Sequence, residues 1–250
     1  MTIISHPLRF VYLKSYKTGG TSTEIALIKN AHEQMTAYAT AKDIRKYGFS
    51  ERKKGHFFTK WGRHIDIGST QKLVDTGAKM FLRKTGSGGP LLQHQPAGEV
   101  KQLIGEKQWQ ESYKAVNIRN PWDLVASDYR WIMSGRAGRS EKRDMSFSYF
   151  VQMITEEETL PTGFKRMEHL LHPFVYINQK KVCDFYIRFE HMEEDLSHAG
   201  RKLGLSGIDL PREKTSNSQK VNYREYYDKK TEQIVQDQFQ DIIRDFEYSF

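Results

Sequence analysis

The sequence predicts an α/β fold with a largely parallel sheet, because one local pattern of strand, turn and helix recurs along the chain. The first unit is the apolar run LRFVYL (8–13), a glycine turn and a helix over 22–28. The second is YKAVNI (113–118), followed by a helix that Asn120-Pro121 opens and that runs to Trp131. Repeated units of this kind favour parallel strands joined by helices.

The remaining segments complete one predicted domain over residues 1–250. CDFYIRFE (183–190) predicts a third strand, and Glu193 to Leu203 a helix that Gly204 closes. Further helices are expected over 69–84, over 96–104 and at the end of the chain, where an apolar stripe contains Ile234, Val235, Phe239, Ile242 and Phe246. The polar segment 30–68 is interpreted as an insertion that shapes an acceptor pocket, or as ordinary surface structure.

Composition and charge narrow the classes of partner. The chain of 250 residues carries a formal net charge of +8, which favours anionic partners. A single cysteine, Cys183, excludes an intramolecular disulfide and a multi-cysteine metal site. This cysteine usage fits a reducing cytoplasm, which is the expected location. No apolar stretch approaches the roughly 20 residues that span a bilayer, so we expect no integral membrane segment.

The turn between the first strand and the first helix is a candidate anion site. Lys17 is followed by Gly19 and Gly20, and the N–H groups at a helix N-terminus attract negative charge. Nucleotide-binding loops place Lys and a hydroxyl directly after the last glycine, whereas Lys17 precedes the glycines here. A plain glycine turn beside a solvated lysine is the alternative at this point.

The second unit carries two further anion-binding candidates. Arg119 lies at the predicted strand end, and Ser127 follows eight positions later inside the helix. Together they could hold one dianion, through charge-assisted hydrogen bonds from Arg119 and a neutral one from Ser127.

Four segments together resemble a known family. KTGGTS (17–22), IRNPWDLVASDY (118–129), DFYIRFEHMEEDL (184–196) and the ending after Asn222 resemble the carbohydrate branch of the sulfotransferases that use 3′-phosphoadenosine 5′-phosphosulfate. The likeness covers most of the chain outside 30–68 and 135–160. It implies a P-loop-like three-layer fold and in-line transfer of a sulfuryl group to a hydroxyl acceptor, with a glycan or glycolipid expected.

The resemblance also assigns the donor-binding residues. The 5′-phosphosulfate would be held by Lys17, Thr18, Gly19, Gly20, Thr21 and Ser22. Arg119 and Ser127 would bind the 3′-phosphate, which distinguishes this donor from ATP. The loop over 211–222 is a candidate cover for the nucleotide.

Two side chains receive catalytic roles. Lys17 is expected to stabilise charge on the bridging oxygen that leaves with the 5′-phosphate. His94 is the expected general base, with Glu99 in reserve. The family more usually has His, a small residue, Thr and Ala where this chain has His94, Gln95, Pro96 and Ala97. The proposed chemistry requires no metal.

Two other classes of protein remain as alternatives. A nucleoside-triphosphate-dependent kinase of P-loop type would require Gly-Lys-[Ser/Thr] at the end of the loop and a Mg²⁺-binding carboxylate. A basic nucleic-acid-binding module would require clustered positive charge with stacking aromatics, whereas the basic residues here are dispersed. We therefore expect no nucleic-acid partner.

Overall fold

The structure of the protein is a computed structural model. It describes residues 2–31, 94–134, 145–205, 208 and 222–250, and the backbone of five short strands between 37 and 90. The predictions for the helix at 69–84 and for the loop at 211–222, except its last residue Asn222, lie outside the described residues.

Eleven strands are present in the described part of the chain. They are β1 (Ile3–Ser5), β2 (Phe10–Leu13), β3 (Ala37–Ala39), β4 (Arg52–Lys53), β5 (His56–Phe58), β6 (His64–Asp66), β7 (Gly89–Pro90), β8 (Tyr113–Ile118), β9 (Tyr176–Ile177), β10 (Lys180–Lys181) and β11 (Phe185–Arg188). The strand predicted at 113–118 is confirmed with its bounds, and those predicted at 8–13 and 183–190 are confirmed with shorter ones.

The described α-helices lie between and after these strands. They are α1 (Gly20–Ala31), α2 (Ala97–Ile104), α3 (Glu106–Glu111), α4 (Pro121–Met133), α5 (Phe147–Glu156), α6 (His172–Val175), α7 (Met192–Lys202), α8 (Lys229–Gln238) and α9 (Gln240–Phe246). Short 3₁₀ helices occupy Met167–His169, Phe189–His191 and Tyr223–Tyr226. The predicted last helix is divided at the fully buried Phe239, and α5 was not predicted. None of the described helices is both long enough and apolar enough to cross a membrane.

The main sheet confirms the α/β class. Its strand order is β11-β8-β2-β1-β3-β4, and β2, β8 and β11 run parallel to one another. Strand β1 forms an antiparallel hairpin with β2, so the parallel part begins at β2. Strands β3 and β4, which lie in the segment interpreted as an insertion, extend the sheet at the far edge.

Helices cover both faces of this sheet. On β2, Val11 and Leu13 point into one apolar cluster with α2, α4 and α5, whereas Phe10 and Tyr12 point into a second cluster with α1 and α7. The alternation follows from the two-residue period of a strand. A sheet buried on both faces requires strands that are apolar at nearly every position, as FVYL (10–13) is.

The register of the parallel strands determines where functional segments meet. Leu13 at the end of β2 pairs with Val116 of β8, and Arg188 at the end of β11 pairs with Ile118. The carboxyl ends of the three strands therefore lie at one edge of the sheet. Ligands of open α/β sheets bind at this edge.

Candidate functional site

The loop between β2 and α1 is shaped by two left-handed residues. Lys17 has a φ of 58° and Gly19 a φ of 77°. Gly20 has no such φ, but a Cβ there would lie 2.7 Å from Cγ of Lys14. The turn expected at the two glycines is thus confirmed. Gly19 is required because its φ is positive, and Gly20 is required because a side chain there would collide with Lys14.

The loop presents backbone donors at the start of α1. In the described part of the chain, the N–H groups of Thr18, Gly19, Gly20 and Thr21 form no hydrogen bond, and the N–H of Ser22 donates to the Gly19 carbonyl at 2.9 Å. The first N–H groups of a helix lack intrahelical partners and lie at the positive end of its dipole. This loop therefore has the donors that an anion requires.

A buried hydrogen-bond network from β8 supports the loop. The Tyr12 hydroxyl donates to Oδ1 of Asn117 at 2.5 Å, and Nδ2 of Asn117 donates to the Thr23 hydroxyl at 3.0 Å. Ser15 donates to the Asn117 carbonyl at 2.5 Å and also contacts the Thr18 hydroxyl at 2.8 Å. The amide of Asn117 thus connects the strand before the loop with the helix after it. Sequence reasoning assigned no role to Asn117.

An ion pair lies beneath the loop. Nζ of Lys14 lies 2.8 Å from Oε2 of Glu24, and both side chains are buried. The same ammonium donates to Oγ1 of Thr21 at 3.1 Å. Because Thr21 accepts this bond through its oxygen, its own O–H remains available to donate to an anion.

Arg119 fastens the loop to α4. Its Nη1 donates to the Lys17 carbonyl at 2.7 Å, and its Nε donates to Oδ2 of Asp123 at 2.8 Å. Nη2 pairs with the same carboxylate at 2.7 Å, and the guanidinium lies 3.9 Å from the centroid of the Phe189 ring. One N–H on each terminal nitrogen remains, so a phosphate could still bind. Sequence analysis missed this positioning role.

Ser127 lies on the same helix in a partly exposed position. It makes no hydrogen bond within the described residues. Six residues separate it from Pro121, which corresponds to about 9 Å along the helix axis. The joint binding of one phosphate by Ser127 and Arg119 remains a prediction.

The side chain of Lys17 lies along α4. Its Nζ lies 5.1 Å from the centroid of the Trp131 ring. Its charge also acts on Asp128, a carboxylate that is only 6% exposed. Burial raises the pKa of Asp128 to about 6, while Lys17 and Lys165 act to lower it. Neither Asp128 nor Lys165 was singled out in the sequence, although an Asp between apolar helix positions was a visible signal.

The structure places His94 against the loop. Its ring stacks on Tyr16 with centroids 4.1 Å apart, and its Nδ1 lies 3.1 Å from the Lys14 carbonyl. A carbonyl only accepts, so Nδ1 carries the proton of the neutral ring and the lone pair lies on Nε2. Burial first, and then Lys14, lower the pKa of His94 to about 4. His94 is therefore neutral at physiological pH.

Glu99, the reserve base, lies on the exposed side of α2. Its charge acts on the same Tyr16 ring: burial first, then Asp128 and then Glu99, raise the pKa of Tyr16. His94 thus stacks on the ring of Tyr16, and the charges of Asp128 and Glu99 act on the Tyr16 hydroxyl. Among the described residues, no three His, Cys, Asp or Glu side chains are grouped as metal ligands would be.

Comparisons with known proteins add no relative to this picture. Protein-family models, curated proteins and solved structures all gave no match to the chain. The functional interpretation is therefore based on the loop geometry and on the sequence motifs.

Proposed function

We propose that the chain is a sulfotransferase that moves the sulfuryl group of 3′-phosphoadenosine 5′-phosphosulfate to a hydroxyl acceptor. The observation that carries the proposal is the loop from Ser15 to Ser22: the N–H groups of 18–21 have no hydrogen-bond partner among the described residues, and Arg119 binds the Lys17 carbonyl. The order of sheet, loop and helix is compatible with the P-loop-like architecture that the sequence motifs imply. A sulfuryl donor is an anion, and this loop suits an anion.

The donor would extend from the loop along α4. Its 5′-phosphosulfate would accept hydrogen bonds from the N–H groups of 18–21 and from the hydroxyls of Thr21 and Ser22. Its 3′-phosphate would bind Ser127 and the remaining N–H groups of Arg119. Charge-assisted bonds of this type are about twice as strong as neutral ones.

The reaction would proceed by one in-line displacement. The acceptor oxygen forms a bond to sulfur while the bond from sulfur to the bridging oxygen breaks, and that oxygen leaves with the 5′-phosphate. The Lys17 ammonium would stabilise the charge that develops on the bridging oxygen. The acceptor proton would pass to Nε2 of His94, whose lone pair is left free by the hydrogen bond at Nδ1.

The acceptor we propose is a hydroxyl of a glycan or glycolipid. The net charge of +8 suits an acidic glycan, because opposite charge raises the rate of encounter.

Calorimetry with adenosine 3′,5′-bisphosphate, AMP and ATP with Mg²⁺ would test the proposal. The sharpest variant is Ser127→Ala, since Arg119→Ala would also release Lys17. We expect Ser127→Ala to weaken bisphosphate binding about tenfold and to leave AMP binding unchanged, because one hydrogen bond to a charged group is lost. Ser134→Ala, at the exposed residue that directly follows the same helix, is the matched control.

Two results would overturn the sulfotransferase assignment. One is tighter binding of ATP with Mg²⁺ than of the bisphosphate, which would favour a P-loop kinase. The other is equal binding of AMP and bisphosphate, which would show that the 3′-phosphate is not recognised. In Lys17→Met, we expect weaker binding of all three nucleotides, because each has a 5′-phosphate.

A further inference from the structure

Asp128 is a buried acid that the proposed mechanism does not use. It lies inside α4, is 6% exposed, and forms no hydrogen bond within the described part of the chain. Most buried polar side chains have a hydrogen-bond partner. Burial disfavours the charged form of a carboxyl group and so favours its protonated form.

Its surroundings connect it with the anion loop. The Lys17 carbonyl accepts a hydrogen bond from Arg119, which precedes α4, and the Lys17 ammonium lies 5.1 Å from the centroid of the Trp131 ring, one turn after Asp128. Lys165 approaches from the segment after α5, with Nζ 4.6 Å from the centroid of the Tyr16 ring.

Charged groups of the described residues act on Asp128 and on the Tyr16 hydroxyl. The two ammonium groups of Lys17 and Lys165 act directly on the carboxylate. The charge of Asp128 acts on the Tyr16 hydroxyl of the loop, and the charge of Glu99 of α2 acts on that same hydroxyl. His94, stacked on Tyr16, is neutral above about pH 5 because its pKa is about 4.

An ionised Asp128 offsets part of the positive charge of the two lysines. A bound anion beside Lys17 adds negative charge close to the carboxylate, and a like charge favours the protonated form of an acid. Protonation in turn leaves the lysines with more net positive charge for the anion. Anion and proton should therefore bind cooperatively.

We propose that Asp128 is the proton-linked residue of this site: an anion that binds beside Lys17 draws a proton from solvent onto the Asp128 carboxyl. The identity of that anion as the 5′ end of the sulfate donor rests on the proposed function. Binding of the donor is then accompanied by proton uptake at Asp128, and donor affinity decreases as the pH rises.

The linkage falls in an accessible pH range. Burial raises the pKa of Asp128 to about 6, so roughly a tenth of the free protein carries this proton at pH 7. If a bound anion raises the pKa by about one further unit, uptake is about 0.4 proton per site at that pH. The free bisphosphate also titrates near pH 6, so a variant that lacks the carboxyl is needed for comparison.

Calorimetry of adenosine 3′,5′-bisphosphate at pH 7 in buffers of different ionisation enthalpy would count the protons. We expect about 0.4 proton more to be taken up by the wild type than by Asp128→Asn. Relative to that variant, we expect the wild-type affinity to fall by about fivefold between pH 6 and pH 8. Glu111→Gln, which removes an exposed carboxylate of α3, should leave proton uptake unchanged.

Lys165→Met provides a second test that keeps the carboxyl. Loss of this ammonium removes a charge that lowers the pKa of Asp128. The midpoint of the pH dependence should therefore move to higher pH. Equal proton uptake in the wild type and Asp128→Asn, or an unmoved midpoint in Lys165→Met, would overturn the proposal.

Inorganic sulfate, which does not titrate in this range, separates the two proposals. Sulfate binding with proton uptake, together with no bisphosphate binding, would retain the role of Asp128 and reject the sulfotransferase assignment. Bisphosphate binding without proton uptake would reject the role of Asp128 and retain the sulfotransferase assignment.

Discussion

The two halves of α4 each contain an aspartate, and the surroundings of these two side chains differ. At the start of the helix, Asp123 pairs with Arg119 through two guanidinium nitrogens and lies 3.7 Å from Nη2 of Arg130. Further along, Asp128 is buried without a hydrogen bond in the described structure, and lysines influence it only through their charge. The Asp123 carboxylate is bound by arginine side chains of the fold, whereas the Asp128 carboxylate forms no hydrogen bond within the described residues.

This difference separates structural from functional charge. A carboxylate bound by a guanidinium holds its neighbours in place, as Asp123 does for the arginine that binds the Lys17 carbonyl. A buried carboxylate without such bonds reduces stability, and sites that bind ligands commonly contain groups of this kind. Asp123 in the first half of α4 therefore helps to position the loop through Arg119. Asp128 in the second half interacts with the charge of Lys17 in that loop.

The largest effect is expected from Asp123→Ala. It would leave the buried guanidinium of Arg119 without its counter-ion, and breaking a buried pair in this way costs about 3 kcal/mol. Urea unfolding would measure the loss. Asp241→Ala, which breaks an exposed pair with Arg244, is the matched control and should cost less than about 1 kcal/mol. Equal losses of unfolding free energy in the two variants would show that the pair between Arg119 and Asp123 stabilises the fold no more than an exposed pair does.

A smaller effect of opposite sign is expected from Asp128→Asn. The folded pKa of Asp128 is about 6 and the ordinary value is 3.8, so the folded state binds the proton more tightly. Between about pH 4 and pH 6 the wild type should therefore lose stability as the pH rises, by on the order of 2 kcal/mol relative to the variant. Unfolding at a series of pH values would measure this, and parallel curves would contradict it.

The pattern of strands and helices could be predicted because local signals carry it. The apolar run 113–118 and the Asn120-Pro121 start of α4 were readable without tertiary knowledge, and Asn120 does cap the helix. Strand β1 was missed because a three-residue run, IIS (3–5), gives no usable period. The break at Phe239 was missed because an unbroken apolar stripe runs across it.

The site could be predicted only in part. Lys17, His94 and the glycines were found from motifs, and the structure brings His94 to the loop. The bond from Arg119 to the Lys17 carbonyl links residues 102 positions apart, and no local pattern reports such a contact. Asp128 was missed for the same reason, since its surroundings come from the loop and from Lys165.

The smallest effect is expected from Trp131→Leu. The indole ring lies beside the Lys17 ammonium but is 36% exposed, so its loss should cost about 0.5–1 kcal/mol of stability. Bisphosphate affinity should fall by less than about fivefold, because Lys17 remains attached through its backbone. Calorimetry and urea unfolding on one preparation would show both. A loss of stability as large as that of Asp123→Ala would contradict this and would show that the contact at Trp131 also holds the loop on α4.

Hydrogen exchange of the loop amides would show directly whether an anion binds there. The amides of Thr18, Gly19, Gly20 and Thr21 form no hydrogen bond within the described part of the free protein and should exchange rapidly. Adenosine 3′,5′-bisphosphate should slow the exchange of a peptide spanning 14–24, and adenosine should not. Saturation with bisphosphate that leaves this peptide unprotected would contradict the loop as the phosphate site.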